Sequence, residues 1–315
     1  METTGENEEN CRQETRDVME TSNIMFGEIE EILDEVDAKF KLFKNFDVID
    51  HPPNDHHYYT TYDFKSKKIK DSSLGRIRIE EELSLFEKNI PNWIFIRSYT
   101  CRIDLMRAAI IGPPNTPYHH CLFFFDIKLP ESYPSKPPKI HYQSYGVDLN
   151  PNLRLDGRIT LRALSETRYE CFKQNWPRSS NNTKEKWDPE ESTLLQVFHA
   201  IRNMILSKLD QLDKYNRRVF VLTCQKMIKI LKEPPADFQD FVAGYFRKRA
   251  HYVLMKFRES TYDIDELMID LFVRMFKVFE RNGAYCKHHL CFLRSIERPN
   301  CRIDVEAKIR DLEGL

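Results

Sequence analysis

Two groups of cysteine and histidine residues have side chains that could carry chemistry. In the first, Cys121 directly follows His119 and His120, and a thiol near an imidazole is how a cysteine nucleophile is paired with its base. Because these residues are adjacent at the expected entrance of a strand, we interpret them as structural. The second group lies near the C-terminus and consists of Cys286, His288, His289, Cys291 and Cys301. Its content resembles a zinc site, but its spacing lacks the paired Cys-x-x-Cys arrangement that closes four ligands, so the sequence predicts no metal.

The composition indicates an ordinary core with charge-rich segments. The chain has 315 residues, of which 41% are hydrophobic and 31% charged, and this length accommodates one domain with extensions. A net charge of -1 gives no electrostatic argument for a nucleic-acid partner. No apolar run approaches the roughly 20 residues that span a bilayer, and residues 1–10 lack the pattern of a secretory signal. Eight cysteines spread along the chain are typical of reduced thiols in the cytosol or nucleus.

The central part of the chain has the pattern of a helix followed by strands. Apolar residues predict a helix over 77–90, which ends before Pro91. Four strand signals follow in series, at 93–97, 105–111, 122–129 and 139–142. Strands joined by short turns predict an antiparallel meander. The apolar run Leu122 to Phe125 requires cover on both faces, and we expect the preceding helix to cover the outer one.

Helices are predicted for the rest of the chain. Asp188-Pro189-Glu190-Glu191 has the residues of a helix start with Asp188 as N-cap. Another helix ends at Pro234-Pro235, Asp237 caps the next, and 264–279 is the last clear one. The fold class is therefore α+β. We expect three regions, which are an acidic, largely disordered tail and linker (1–75) with a short amphipathic helix at 24–43, a core domain (76–235) and a C-terminal helical extension (236–315).

The segment between the predicted strands and the later helices contains four short motifs. They are the proline-rich run at 130–138, Asn150-Pro151-Asn152, Gly157-Arg158-Ile159-Thr160-Leu161 and Trp187-Asp188-Pro189. In this order they resemble the proline-rich loop, the His-Pro-Asn motif, the Gly-Lys-Val-Cys-Leu segment and the core tryptophan of ubiquitin-conjugating enzymes. The stretches 99–108, 116–119, 123–127 and 240–252 are similar to the large, plant-type hybrid ubiquitin-conjugating and ligase-like enzymes. The resemblance implies a four-stranded antiparallel sheet flanked by helices.

The resemblance also implies transfer of ubiquitin through a cysteine thioester, and Thr160 stands where the family has that cysteine. Asn152, eight residues upstream, matches the family's asparagine, which is thought to steady the oxyanion. A threonine hydroxyl is far less acidic than a thiol and is hindered by its branched β-carbon, so we predict that this position is inactive. Cys171 is the alternative nucleophile, because it lies in an apparent insertion where Arg168 and Lys173 would favour its thiolate.

Two functions are therefore open. In one, the chain is a catalytically inactive binding module for ubiquitin, its activating enzyme or a ligase, or else a decaying duplicate. The resemblance places the docking surface on helix 79–90, the segment after Thr160 and the proline-rich loop. The loop residues are Pro130, Tyr133, Pro134, Pro137 and Pro138. In the other, the chain is an active transferase that uses Cys171 or works with a partner subunit. Neither needs a cofactor of its own, since ATP is used by the activating enzyme.

Overall fold

The computed structural model describes residues 34–59, 73–161, 187–207, 213–260, 266–294 and 305–314. By internal contacts the chain divides into two units, Met1–Ala38 and Lys39–Leu315. Of the first unit the structure describes residues 34–38, which contribute to a helix, α1 (Glu35–Leu42). This helix lies within the span where the sequence predicts one, at 24–43, and the earlier part of that span is outside the described residues.

A five-stranded sheet forms the centre of the second unit. In chain order the elements are β1 (Phe46–Ile49), α2 (Ser73–Asn89), β2 (Ile94–Tyr99), β3 (Leu105–Ile111), β4 (Leu122–Lys128) and β5 (Lys139–Tyr142). The strands lie in the order β1-β2-β3-β4-β5. The four later strands pair antiparallel, as the sequence predicts. The predicted helix before them is α2.

β1 was not predicted, because it lies within the segment assigned to the linker. It pairs parallel with β2, with Phe46 opposite Ile96, and so adds a fifth strand to the meander. The strand has four residues, and Pro52 and Pro53 follow shortly after it. The prolines that follow it favour a linker, and its pairing with β2 is a contact across about 50 positions of the chain that no local pattern shows.

Both faces of the sheet are covered, but by different parts of the chain. One face carries Ile96, and Phe86 of α2 contacts its neighbour Phe46, with ring centroids 5.8 Å apart. The opposite face carries Phe95 and Phe124, which lie in register across Ala109. The covering rings there come from outside the meander, and the closest is Phe241, 4.2 Å from Phe95. Phe238 lies 5.4 Å from Phe124, and Phe43 lies 6.1 Å from Phe95.

The predicted burial on both faces is therefore confirmed. The helix before the first strand, α2, covers one of the two faces, whereas Phe238 and Phe241 of the C-terminal extension cover the other. The elements of the rest of the chain are α3 (Leu194–Ala200), a π-helical turn (Ile201–Ile205), α4 (Asp213–Lys232), a 3-10 turn (Ala236–Phe238), α5 (Gln239–Ser260), α6 (Glu266–Arg281), a second 3-10 turn (Lys287–His289), α7 (Leu290–Arg294) and α8 (Val305–Glu313). None of the helices among the described residues has the length and apolar character needed to cross a membrane.

The helix after Trp187 begins later than predicted. Its N-cap is Thr193, whose hydroxyl accepts a hydrogen bond from the backbone N–H of Gln196, while the Gln196 side chain accepts from the Thr193 N–H. This reciprocal capping box satisfies two N–H groups at the start of α3. Asp188 instead accepts from the N–H groups of Glu190 and Glu191 and so closes a separate turn before the helix.

Asp237 was predicted as an N-cap, but it joins a buried ionic cluster. It accepts a hydrogen bond from the Tyr99 hydroxyl, and its carboxylate lies 4.0 Å from the Arg107 guanidinium. Arg107 is fully buried and also pairs with Asp126 at 2.6 Å and Asp55 at 2.9 Å. Burial opposes ionisation of Asp126, but the adjoining Arg107 outweighs it and holds the pKa of that carboxyl below its usual range. The cluster thereby attaches both the predicted linker and the C-terminal extension to the sheet.

Candidate functional site

The residues Asn152 and Thr160 are brought together by a tight loop after β5. Leu153 forms isolated β-bridges with both Asn150 and Ile159, so the chain doubles back on itself. The Thr160 N–H donates to the Asn152 carbonyl at 3.0 Å. The eight-residue spacing noted in the sequence is therefore the spacing that places these two residues opposite each other.

Gly157 anchors this loop to the edge of the sheet. Its carbonyl accepts a hydrogen bond from the Tyr142 N–H at 2.7 Å, and its φ of +81° lies in the region that favours glycine. A Cβ at this position would lie 1.9 Å from Cε1 of His141. The positive φ favours glycine here, and a Cβ would in addition displace the His141 ring.

Asn150, the first residue of the motif, has a structural role that the sequence did not indicate. Its buried side-chain amide donates to the Tyr118 hydroxyl at 2.9 Å and to the Ile205 carbonyl at 3.0 Å. Its Oδ1 accepts from the Asn152 N–H at 2.8 Å. The side chain thus holds the loop against the π-helical turn that follows α3.

The two candidate reactive positions differ in their environments. Asn152 is buried, whereas the Thr160 side chain is exposed to solvent. In the part of the chain that the structure describes, no carboxylate or imidazole hydrogen-bonds the Thr160 hydroxyl. A serine or threonine nucleophile needs an adjacent base to remove its proton, because its hydroxyl is otherwise weak. The loop therefore presents an exposed hydroxyl that lacks an activating partner among the described residues.

The proline-rich loop is held by a buried carboxylate on α2. Glu82 Oε1 accepts from the Tyr133 hydroxyl at 2.8 Å, and its Oε2 accepts from the Leu194 N–H at the start of α3 at 3.0 Å. Burial raises the pKa of Glu82, although both donors oppose that shift. Trp187 donates from its indole N–H to the Pro134 carbonyl at 2.6 Å. Glu82 was not singled out in the sequence, where it is one of three consecutive glutamates.

Burial divides the five loop residues predicted to contact a partner. Tyr133, Pro137 and Pro138 are buried, and Pro130 and Pro134 are partly buried. The buried three support the loop from inside, so their side chains are not a contact surface in this conformation. The exposed residues of the loop are Glu131, Ser132, Ser135 and Lys136.

The cysteines differ in burial and therefore in how well they could act as nucleophiles. Cys171, the alternative nucleophile, lies outside the described residues, as does Cys301. Cys121 is fully buried, and burial raises the pKa of its thiol to about 12, so it is a core residue rather than a nucleophile. Cys101 is exposed in the turn that follows β2. Within the described ranges, the group with the geometry to bind a metal is His251, His288 and His289.

The family of the chain follows from comparison with known proteins. A sequence model described as "Ubiquitin-conjugating enzyme" matches residues 78–233. "Putative ubiquitin-conjugating enzyme E2 39" of Arabidopsis thaliana is 34% identical over 236 residues, which are 67% of this chain and 68% of that protein. "Probable ubiquitin-conjugating enzyme E2 25" of the same plant is 36% identical over 233 residues, which are 68% of this chain and 36% of that protein.

The sheet with its flanking helices and the loop after β5 are the parts of a ubiquitin-conjugating fold, and this chain belongs to the ubiquitin-conjugating enzyme family. The aligned region spans between about a fifth and about a third of the first curated relatives it matches. Among solved structures, "Structure of human Ubiquitin-conjugating enzyme E2 G1" matches with a TM-score of 0.33 and 21% identity, over 44% of this chain and 97% of that one.

Proposed function

We propose that Thr160 occupies the position of the family's catalytic cysteine and that the chain is an inactive member of the ubiquitination pathway, acting as a binding module. The observation that carries the proposal is the pairing of the Thr160 N–H with the Asn152 carbonyl at 3.0 Å. It supports the proposal because the backbone of the residue that matches the family's asparagine lies opposite a residue that has no thiol. A scaffold held by Asn150, Gly157 and Glu82 around such a residue is suited to recognition rather than acyl transfer.

The chemistry supports loss of activity at this position. A thiol is a few per cent ionised at neutral pH and is strongly nucleophilic, whereas a hydroxyl needs a base. An ester formed on Thr160 would also resist attack by a lysine more than a thioester does. An exposed hydroxyl without a base among the described residues supplies neither property.

The proposed partners are ubiquitin, its activating enzyme and a ubiquitin ligase, with the cytosol or nucleus as the compartment. The proposed contact surface combines the exposed side of α2 with the exposed residues of the proline-rich loop. Glu82 of α2 accepts a hydrogen bond from Tyr133 of the loop, so the two elements are held next to each other. The motif at 240–252, which lies in α5, supports placing the chain in the large hybrid subgroup.

A thioester assay tests the loss of the nucleophile. The chain is incubated with activating enzyme, ATP and labelled ubiquitin and separated on a non-reducing gel. We expect no adduct from the wild type and a reductant-sensitive adduct from Thr160→Cys. Cys101→Ser, which removes an exposed thiol elsewhere, is the matched control and should change nothing in either background.

Three outcomes would contradict the proposal. A reductant-sensitive wild-type adduct that disappears in Cys171→Ala would establish the alternative, a transferase with its thiol in the 165–173 segment. A base-labile, reductant-stable adduct that disappears in Thr160→Ala would show an ester-forming enzyme. Failure of Thr160→Cys to accept ubiquitin would show that the docking of the activating enzyme is lost as well.

A competition assay tests the binding role. We expect the chain to slow the loading of an active ubiquitin-conjugating enzyme in a concentration-dependent way. Glu80→Arg on α2 should weaken this inhibition, while Glu259→Arg on α5 should not. The two glutamates are matched, because each is exposed and each pairs with a basic residue of its own helix at 3.2 Å. Equal loss of inhibition in both variants would argue against α2 as the contact surface.

A further inference from the structure

Three histidines from two separate segments converge on one point of the C-terminal extension. His251 lies on α5, and His288 and His289 lie in the 3-10 turn Lys287–His289. Nδ1 of His251 is 2.9 Å from Nε2 of His288 and 3.0 Å from Nε2 of His289. All three nitrogens lie within 4.8 Å of one another.

Hydrogen bonding accounts for only one of these two short distances. A neutral imidazole nitrogen carries either one proton or one lone pair, so Nδ1 of His251 is either the donor or the acceptor of a single good hydrogen bond. The Nε2 of the remaining histidine would then lie next to a nitrogen that has neither a free proton nor a free lone pair for a hydrogen bond. A cation at the centre satisfies all three lone pairs together.

The distances are close to those of a zinc site. With Zn–N bonds of 2.0–2.1 Å and tetrahedral angles, neighbouring ligand nitrogens are separated by about 3.3 Å. The two separations that involve Nδ1 of His251, 2.9 Å and 3.0 Å, require only a few tenths of an ångström of widening to reach that geometry.

Two of the three histidines lie in surroundings that disfavour a charged imidazole. A histidine must be neutral to coordinate a metal. Burial lowers the pKa of His289 to about 3, and the adjacent His288 and His251 act in the same direction. Burial likewise lowers the pKa of His288, although Glu280 partly opposes it. Burial therefore acts against the charged form of both side chains.

We propose that Nδ1 of His251, Nε2 of His288 and Nε2 of His289 bind one divalent transition-metal ion, of which zinc fits best. Imidazole ligands suit zinc, copper and nickel, whereas magnesium and calcium prefer oxygen. His289 is buried, while His251 and His288 are exposed, so the site opens to solvent on one side. A water molecule completes the coordination there.

The surrounding contacts hold the two adjacent histidines in place. The His289 N–H donates to the Cys286 carbonyl at 2.8 Å, and the Cys286 N–H donates to Glu280 of α6 at 2.6 Å. The ring of Tyr285 stacks on that of His288, with centroids 5.7 Å apart. The Cys291 thiol donates to the His288 carbonyl, so it is engaged with the backbone and is not assigned as a ligand. The ion would link the turn 287–289 to α5.

Metal binding is measured on the untagged, full-length chain after treatment with a chelator. Zinc is titrated in competition with a chromophoric chelator, and cobalt(II) is added separately to report the ligands by its visible spectrum. We expect one ion per chain and a four-coordinate cobalt spectrum without a thiolate charge-transfer band. His251→Asn and His288→Asn should each weaken zinc binding by at least about 100-fold. Both side chains are exposed, so these variants should fold.

His51→Asn is the matched control, because His51 is an exposed histidine in the segment after β1. It should bind zinc like the wild type. Absence of stoichiometric zinc in the wild type, or full binding by both ligand variants, would overturn the proposal. A thiolate charge-transfer band lost in Cys291→Ser would replace the assigned ligand set. None of these measurements depends on transfer of ubiquitin, so they test the metal site separately from the proposed function.

Discussion

Lys226 is a buried lysine on α4 that lies against aromatic residues of β4 and β5. Its Nζ donates to the Gln143 carbonyl at 2.6 Å and lies 4.5 Å from the ring centroids of both Tyr142 and Tyr145. Burial lowers the pKa of Lys226 to about 7. The hydrogen bond and the aromatic rings therefore do not fully offset the loss of hydration.

Lys226→Met should stabilise the protein at low pH. The folded pKa of about 7 lies below the unfolded value of about 10.4, so the unfolded chain holds more protons in between and wild-type stability rises with pH across that window. Below about pH 7 the full cost of the buried charge is present. After allowing for the lost hydrogen bond to Gln143, we expect a gain on the order of 2 kcal/mol at pH 6 that disappears towards pH 10.

Urea denaturation at several pH values measures this difference. Lys229→Met is the control, since Lys229 is exposed one turn further along α4 and donates to the Tyr145 carbonyl at 2.8 Å. It should show no comparable trend with pH. A Lys226→Met variant that is less stable than the wild type at pH 6 would show that the aromatic rings stabilise the cation more than burial penalises it.

At the scale of elements, α5 approaches α1 closely at a glycine. A Cβ on Gly244 would lie 2.3 Å from the Cβ of Phe40. The ring of Phe40 stacks on Phe241 with centroids 5.7 Å apart, so this approach also builds the cover over the sheet. Glycine costs a helix interior about 1 kcal/mol relative to alanine, and the close packing explains why the position nevertheless has no side chain.

Gly244→Ala should therefore destabilise the protein by about 1–3 kcal/mol, despite the better helix propensity of alanine. In a Phe40→Gly background, which removes the opposing Cβ, the same substitution should cost less. A double-mutant cycle by urea denaturation measures the coupling. Gly314→Ala is the control, because a Cβ there meets nothing closer than 3.7 Å. Equal costs of Gly244→Ala in both backgrounds would refute the proposed contact.

The elements also show where sequence patterns suffice. β3, β4, α2 and α4 were predicted because each has enough residues to display its own periodicity. The N-terminus of α3 was predicted at Asp188 because Asp188, Pro189 and Glu191 match a capping pattern, and the real cap uses Thr193 and Gln196. Both are chemically reasonable starts, and the bond between Glu82 and the Leu194 N–H helps to set the observed one.

For the whole molecule, the C-terminal extension is part of the core rather than an appendage. Phe238 and Phe241 cover the face of the sheet that carries Phe95 and Phe124, and Asp237 joins the Arg107 cluster from the same side. A chain that ends at Pro235 would expose this face and leave a large apolar patch in water.

We expect a fragment of residues 39–235 to be aggregation-prone and to bind a hydrophobic dye, whereas residues 39–315 should behave as a soluble monomer. Phe241→Ala in the longer fragment tests the same contact without removing the backbone, and it should lower the free energy of unfolding by about 3–5 kcal/mol. Size-exclusion chromatography and dye fluorescence measure the aggregation of the shorter fragment, and urea denaturation measures the stability of the variant. A monomeric, dye-negative fragment 39–235 would show that the extension is dispensable for the core.

The sequence by itself determined the antiparallel meander, the α+β class and the eight-residue spacing of Asn152 and Thr160. These are local properties, because the period of a strand or helix and the length of a tight loop depend on neighbouring residues. Even the partner of Thr160 across the loop follows from that spacing. The absence of a cysteine at position 160 needs no structure at all.

The tertiary structure alone decided which distant residues meet. β1 pairs with β2 across about 50 residues. His251 meets His288 across 37 residues, which is why spacing along the chain did not reveal the group of three histidines. Glu82, Arg107 and Asp237 acquire their roles only from the groups that packing brings to them. Such contacts depend on how whole elements dock, and docking is set by the summed burial and hydrogen bonding of many residues rather than by any short pattern.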